Sequence, residues 1–239
     1  MDTSKFTFDS KAHLYLYDGK PLSGTTTVLQ VISKPMLIQW AANQAVEYIR
    51  ANMLVGGENT IIIPVKVLDE AKTAHRKKKE KAGDFGTLVH ALAENFVKTG
   101  AMPPEDADPL AKQAIDHFVK WATDNGVTFL ESERRIFSLE MWVGGTCDLV
   151  VKIGDQIWLA DIKTSSGIYP EAFFQMGSYD ICLKEMGLYP EVAGYMVLNL
   201  KKDGTFEEKR SISNEDNKAA FKAALTIYRI QEKLKGAVI

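Results

Sequence analysis

The stretch that decides the fold reads Gly144-Gly145-Thr146-Cys147-Asp148, then Leu149 to Ile153, Gly154-Asp155, Ile157 to Ala160, and Asp161-Ile162-Lys163. Two β-rich apolar blocks split by a Gly-Asp turn predict a β-hairpin. Side chains alternate along a strand, so Asp161 and Lys163 point to one side, and the hairpin brings Asp148 beside them. Two carboxylates and an ammonium at the end of a buried sheet are costly unless a metal or an anionic substrate pairs them. Paired carboxylates suit a hard divalent cation. Such an ion polarises a phosphoryl oxygen and activates water. A neighbouring lysine orients that water or offsets charge developing on phosphate. An ordinary hairpin with surface acids carries the same letters, so the surroundings decide.

The bulk numbers narrow the classes. A chain of 239 residues, 46% hydrophobic and 25% charged, builds one large domain or two small ones without disulfide staples. Its two cysteines, Cys147 and Cys182, are too few for a thiolate zinc site or an iron–sulfur cluster, and a reducing cytoplasm is the expected compartment. No stretch approaches the roughly 20 apolar residues of a membrane span. The opening MDTSKFTFDS lacks the apolar core of a signal peptide. A net charge of −2 does not advertise a nucleic-acid binder, so the placement of the basic residues matters more than their number.

Read in order, residues 6–22 alternate around Asp18-Gly19 and predict a hairpin. Ser23-Gly24-Thr25-Thr26-Thr27 offers hydroxyls to cap a short helix. A helix opens at Pro35 with Leu37, Trp40, Ala41, Ala45, Tyr48 and Ile49 at helical spacing, Trp40 reading as core. Residues 52–64, with Gly56-Gly57, read as a loop. From Val65 a helix carries Lys72, Arg76, Lys77, Lys78, Lys79 and Lys81, opposed only by Glu80. That run is either a solvated face or a contact for a phosphate backbone. The following helix holds Gly86-Thr87-Leu88-Val89-His90, with Phe85, Leu88, Val89, Leu92 and Phe96 as its apolar stripe. His90 and Glu94 share an adjoining face with Gly86.

Residues 110–125 predict an amphipathic helix ended by Asn125-Gly126, and residues 127–139 a strand whose Glu133 faces either the site or solvent. Beyond Lys163, Pro170 opens a helix to about Met186, with Gln175 and Tyr179 at i, i+4. A strand over 191–200, a short strand, and a closing helix over 213–234 with Ala220, Ala224, Ile227, Ile230 and Leu234 as its stripe complete the chain.

Four motifs stand in one order: G-T-x-x-H ending at His90, G-G-x-x-D ending at Asp148, D-x-K at Asp161 to Lys163, and Q-x-x-x-Y at Gln175 and Tyr179. Together, from about Phe85 to Leu200, they resemble the RecB-like exonuclease branch of the PD-(D/E)xK nuclease superfamily. The 23–27 region is similar, more loosely, to the start of phage and mitochondrial single-strand exonucleases of that branch. The resemblance implies an α/β, restriction-endonuclease-like core: a central mixed sheet flanked by helices, with an N-terminal hairpin and helical additions. It implies one nuclease domain over 1–239, divided into a hairpin and helical arch region (1–84), the core (85–200) and a C-terminal strand and helix (201–239).

It further implies that His90, Asp148, Asp161 and the carbonyl of Ile162 hold Mg²⁺ or Mn²⁺, with Asp148, Asp161 and Lys163 catalytic. Gln175, Tyr179, Arg76, Lys77 and Lys78 would meet DNA, single-stranded or frayed. A nuclease without a Walker A motor suits phage or bacterial DNA processing in the host cytoplasm, with a recombination or replication protein as partner and no membrane. The rival readings are a structure-specific or restriction-like endonuclease, a non-catalytic nucleic-acid-binding module on the same fold, and an unrelated α/β protein.

Overall fold

In the computed structural model the described residues are 2–56 and 60–235. Gly57, with residues 58 and 59 of the expected loop, and residues 236–239 of the expected C-terminal segment lie outside them. The chain divides into two compact units, Met1–Ile32 with Leu88–Ile239, and Ser33–Thr87. The elements in chain order are β1 (Phe6–Asp9), β2 (Leu14–Tyr17), β3 (Lys20–Pro21), β4 (Ser23–Gly24), α1 (Thr25–Val28), α2 (Pro35–Asn52), β5 (Leu54–Val55), β6 (Ile61–Ile62), α3 (Val65–Thr99) and α4 (Pro109–Asp124). They continue with β7 (Thr128–Ser138), β8 (Val143–Ile153), β9 (Gln156–Lys163), α5 (Pro170–Glu185), β10 (Gly194–Leu200), β11 (Phe206–Ser211) and α6 (Asn214–Lys235).

The larger unit is α/β, as expected: a central mixed sheet flanked by helices. Its order is β11-β10-β9-β8-β4, with β7 also on β8. The β7-β8-β9 meander and the β10-β11 pair are antiparallel, whereas β9-β10 and β4-β8 are parallel. Helix, meander, helix, strand (α4, β7 to β9, α5, β10) is the expected core order. One face packs under α5 and α6, with Leu159, Met176, Tyr179, Leu183, Tyr195, Val197 and Phe221 in a continuous core. Phe96, Phe118 and Phe129 form a second apolar cluster through edge and tilted ring contacts.

The local chemistry of these elements is readable. Asp108 caps α4 by accepting from the Leu110 and Ala111 N–H groups, and Pro109 occupies the first turn. Pro170 does the same for α5. Gly177 marks where α6 meets α5, because a Cβ there would lie 2.8 Å from the backbone carbon of Asn217.

Several expectations are corrected. The hydroxyls of 23–27 do not cap α1, whose N-cap is Gly24 with no side-chain bond. The Thr25 hydroxyl instead donates to the Gly144 carbonyl at 3.3 Å and meets Ser178 at 3.1 Å, tying the segment to β8 and α5. Two helices expected around residues 65–99 are one 35-residue helix, α3, which carries Gly83 and Gly86 in its interior. A glycine costs a helix only about 1 kcal/mol, so neither one breaks it. In α3, Leu88 is exposed and Ala93 is buried beside Val89. In α6, Ile227, Ile230 and Leu234 are about half exposed, while Asn217, Phe221, Ala224 and Leu225 are buried. Of the expected stripe Ala224 is buried, while the approach at Gly177 turns Phe221 and Leu225 inward in place of Ile227, Ile230 and Leu234.

The smaller unit differs in kind. Residues 52–64 carry a short antiparallel pair, β5-β6, rather than only a loop. Leu37 is exposed and Trp40 is only half-buried, against the expected core role. Tyr48 donates to Glu70 at 2.5 Å, and Lys78 lies 3.6 Å from Glu47, both joining α2 to α3. Among the described residues no helix is long and apolar enough to cross a membrane.

Candidate active site

The site begins with an interruption in the sheet. Strand β8 pairs β9 only from Leu149 to Ile153, and pairs β4 only at Val143 and Gly144. Between those contacts the Gly145–Asp148 segment takes no backbone register with either strand. Asp148 fills the break with its side chain: Oδ2 accepts the Ile162 N–H at 2.9 Å. A carboxylate thus substitutes for a ladder carbonyl where the strands separate.

The two glycines before Asp148 permit close packing. A Cβ on Gly144 would lie 2.6 Å from the Tyr15 side chain, and one on Gly145 would lie 2.6 Å from the Tyr179 ring. Tyr15 also meets Thr146 through its hydroxyl at 2.8 Å.

One half of the site is tightly bonded around the buried Asp161. Asp161 is 1% exposed, and Lys163 Nζ lies 2.9 Å from its Oδ1 and 2.7 Å from its Oδ2. Only the Oδ1 contact has hydrogen-bond geometry; Oδ2 makes an ion contact alone. Lys163 also donates to Gln175 Oε1 at 3.4 Å, and Gln175 Nε2 donates to the Tyr179 hydroxyl at 2.6 Å. Both α5 residues are buried, so the i, i+4 pair lies against the lysine and does not form an open helix surface. Burial pulls the Lys163 ammonium down, but Asp161 and Asp148 more than offset it and hold it above its ordinary value. Burial pushes the carboxyls of Asp148 and Asp161 up, while Lys163 and His90 oppose that shift.

The other half is looser. His90 Nδ1, on α3, lies 3.7 Å from both Glu133 Oε1 and Asp148 Oδ2, with His90 and Glu133 about one-third exposed. Burial pulls the imidazole down, but the Glu133 and Asp148 carboxylates more than offset it and hold it at about 9. Glu133 reaches the site because the register of β7 on β8 shifts by one residue between Phe129 and Glu131. Ser132 pairs Leu149 and Arg134 pairs Cys147, which leaves Glu133 opposite Asp148 with φ at +50°. No motif marked it, and its surroundings, Glu131-Ser132-Glu133-Arg134-Arg135, read equally well as a polar edge.

The donor set fits a hard divalent cation. One ligand atom each from His90, Glu133 and Asp148 lie within 4.8 Å of one another. Three carboxylates against one ammonium leave two negative charges when His90 is neutral, the complement of one such ion. Asp161 stands outside that group and on Lys163. The Ile162 side chain is buried and its N–H is engaged by Asp148. Arg76, Lys77 and Lys78 are exposed on the part of α3 that belongs to the smaller unit.

No protein-family model and no curated protein matches the sequence. Among solved structures, an alkaline exonuclease from Laribacter hongkongensis is similar at 14% identity and a TM-score of 0.39, over 90% of this chain and 93% of that one. A likeness of that size does not bear on activity.

Proposed function

We propose that this chain is a metal-dependent deoxyribonuclease of the PD-(D/E)xK kind, acting as an exonuclease on single-stranded DNA or frayed ends. The observation that carries the reading is the junction of Asp161-Ile162-Lys163 with Asp148, beside a His90–Glu133–Asp148 group whose ligand atoms lie within 4.8 Å. Mg²⁺ or Mn²⁺ would be held by His90, Asp148 and Glu133, with Asp161 and the Ile162 carbonyl as further oxygen donors. When bound there, the ion supplies Lewis-acid polarisation of the phosphodiester and of water.

The chain's own groups do the rest. Lys163, held by the buried Asp161, keeps its positive charge and presents N–H donors to the water and to the charge developing on phosphate. Gln175 accepts one of those N–H groups, and Tyr179 anchors Gln175, so the ammonium is aimed before substrate arrives. Arg76, Lys77 and Lys78 would contact the DNA backbone.

The test is cleavage of end-labelled linear and circular single-stranded DNA with Mg²⁺, with Mn²⁺ and with chelator, beside Lys163→Ala. Metal-dependent loss of the linear substrate alone, absent in the variant, is the expected result, and the labelled end reports polarity. Cutting of the circle would make the protein an endonuclease. Binding of DNA without cleavage of either substrate would make it a binding module.

A further inference from the structure

Asn199, on β10, is fully buried, and neither its amide oxygen nor its amide nitrogen has a hydrogen-bond partner. A buried amide with both ends unmade is costly and uncommon in native proteins. Its position gives it a use. Strand β10 runs parallel to β9 with Val197 opposite Asp161 and Asn199 opposite Lys163. Tyr195 and Val197 belong to the core under α5 and α6. Alternation along β10 puts Asn199 on that same face. It is the face on which Lys163 meets Gln175 of α5. Adjacent strands lie about 4.8 Å apart, so Asn199 and Lys163 are cross-strand neighbours on that face.

Lys163 has a reason to need it. Both oxygens of Asp161 face its ammonium, within 2.9 Å. If Asp161 contributes oxygen to a cation, the ammonium gives up at least part of that contact and takes up another acceptor, and the acceptors the fold holds ready beside it are the ones that keep it in place. Gln175 Oε1, at 3.4 Å, already serves as one. We propose that Asn199 is a positioning residue that acts through Lys163, its amide oxygen taking an N–H of the ammonium when Asp161 turns toward a cation. Lys163 then stays in the site without competing for the carboxylate. This inference rests on the metal-dependent reading of the site and adds to it a residue that no motif of the chain contains.

The experiment is calorimetric titration of the full chain with Mn²⁺ alone, without DNA, together with thermal melts in chelator. Asn199→Leu should weaken Mn²⁺ binding by about tenfold, the usual scale for partners behind metal ligands. It should also raise the melting temperature, because two unmade polar atoms are removed at nearly constant shape. Asn199→Ala, which removes the amide without adding bulk, should show the same loss of Mn²⁺ affinity and keeps the test open if the leucine does not fold. In a Lys163→Ala background the effect of Asn199→Leu should vanish. Unchanged Mn²⁺ affinity with a lower melting temperature would overturn the proposal, since the amide would then be a packing element. An equal loss in the Lys163→Ala background would overturn it too, since Asn199 would not act through the lysine. A wild-type chain that takes up no Mn²⁺ would overturn the metal reading itself, and with it this one.

Discussion

The two halves of the candidate site are built on opposite principles. Asp161, Lys163, Gln175 and Tyr179 form a continuous chain of contacts between 2.6 and 3.4 Å, in which only the Lys163 side chain is about one-third exposed. His90 lies 3.7 Å from both Glu133 and Asp148, longer than any contact of the first half, with His90 and Glu133 about one-third exposed. In the first half every group has its partner within the fold, so the lysine is aimed in advance. In the second the acids repel one another and lean on a protonated imidazole. The difference separates a preorganised element from one that becomes fully paired only with a cation.

The largest effect should come from breaking the tightly bonded half. Lys163→Ala is expected to lower cleavage by about 10²–10³-fold, the scale of losing one preorganised electrostatic contact. DNA binding should stay close to wild type, shown by single-turnover assays with parallel binding measurements, while the melting temperature in chelator falls because Asp161 is left buried without its cation. If cleavage stays near wild type, Lys163 leaves the mechanism.

Gly145→Ala probes the same half through packing. Its Cβ would sit 2.6 Å from the Tyr179 ring. Overpacking of that kind costs about 1–3 kcal/mol, to be read from urea denaturation midpoints. Because the displaced ring anchors Gln175, cleavage should fall along with stability. A variant as stable as wild type would show that the ring yields freely.

The looser half is tested through the ion. Glu133→Gln removes one anionic donor and should weaken Mn²⁺ binding by about tenfold, with little change in melting temperature in chelator. An unchanged calorimetric titration would take Glu133 out of the donor set.

A pH series sharpens the same contrast. The folded value of His90, about 9, lies above its ordinary 6.5. The folded protein therefore holds the proton more tightly, and that contribution is complete below pH 6.5 and lost as pH rises through about 9. Melting temperature in chelator should fall across that window, and the fall should flatten in His90→Ala. Mn²⁺ affinity should rise across the same window, because the imidazole must lose its proton to ligate. Parallel slopes for wild type and His90→Ala would remove His90 as the source.

The smallest effect concerns the basic run of α3. Lys72 pairs with Asp69 and Lys78 with Glu47, whereas among the described residues Arg76, Lys77, Lys79 and Lys81 make no ion pair within 4.0 Å. Replacing Arg76, Lys77 and Lys78 by Gln should leave stability within about 0.5 kcal/mol. On single-stranded DNA the salt dependence of binding should lose about 0.7 in slope per contact removed. An unaltered slope would return the run to a solvated face.

Much of the tight half was legible in the chain. D-x-K places Asp161 and Lys163 on one side by strand period alone, and Gly154-Asp155 closes the hairpin that brings Asp148 near. Gln175 and Tyr179 were legible as a pair at helical spacing but not as buried residues, because spacing does not say what covers a face. The stripe of α6 divides for the same reason: Ala224 is buried as expected, but Ile227 and Ile230 are half exposed, and the approach at Gly177 turns Phe221 and Leu225 inward.

Glu133 and Asn199 show what only the tertiary structure decided. Glu133 is one acid in a polar run until the irregularity in β7 sets it opposite Asp148, and Asn199 is an ordinary strand residue until β10 docks beside β9 with Lys163 as its neighbour. By itself the sequence determined which residues share a strand face or a helix face, because strand and helix periods are local properties of the backbone. Which faces meet, where the sheet separates and which charges are left without water follow from long-range register and packing, and those are settled only when the whole sheet is assembled.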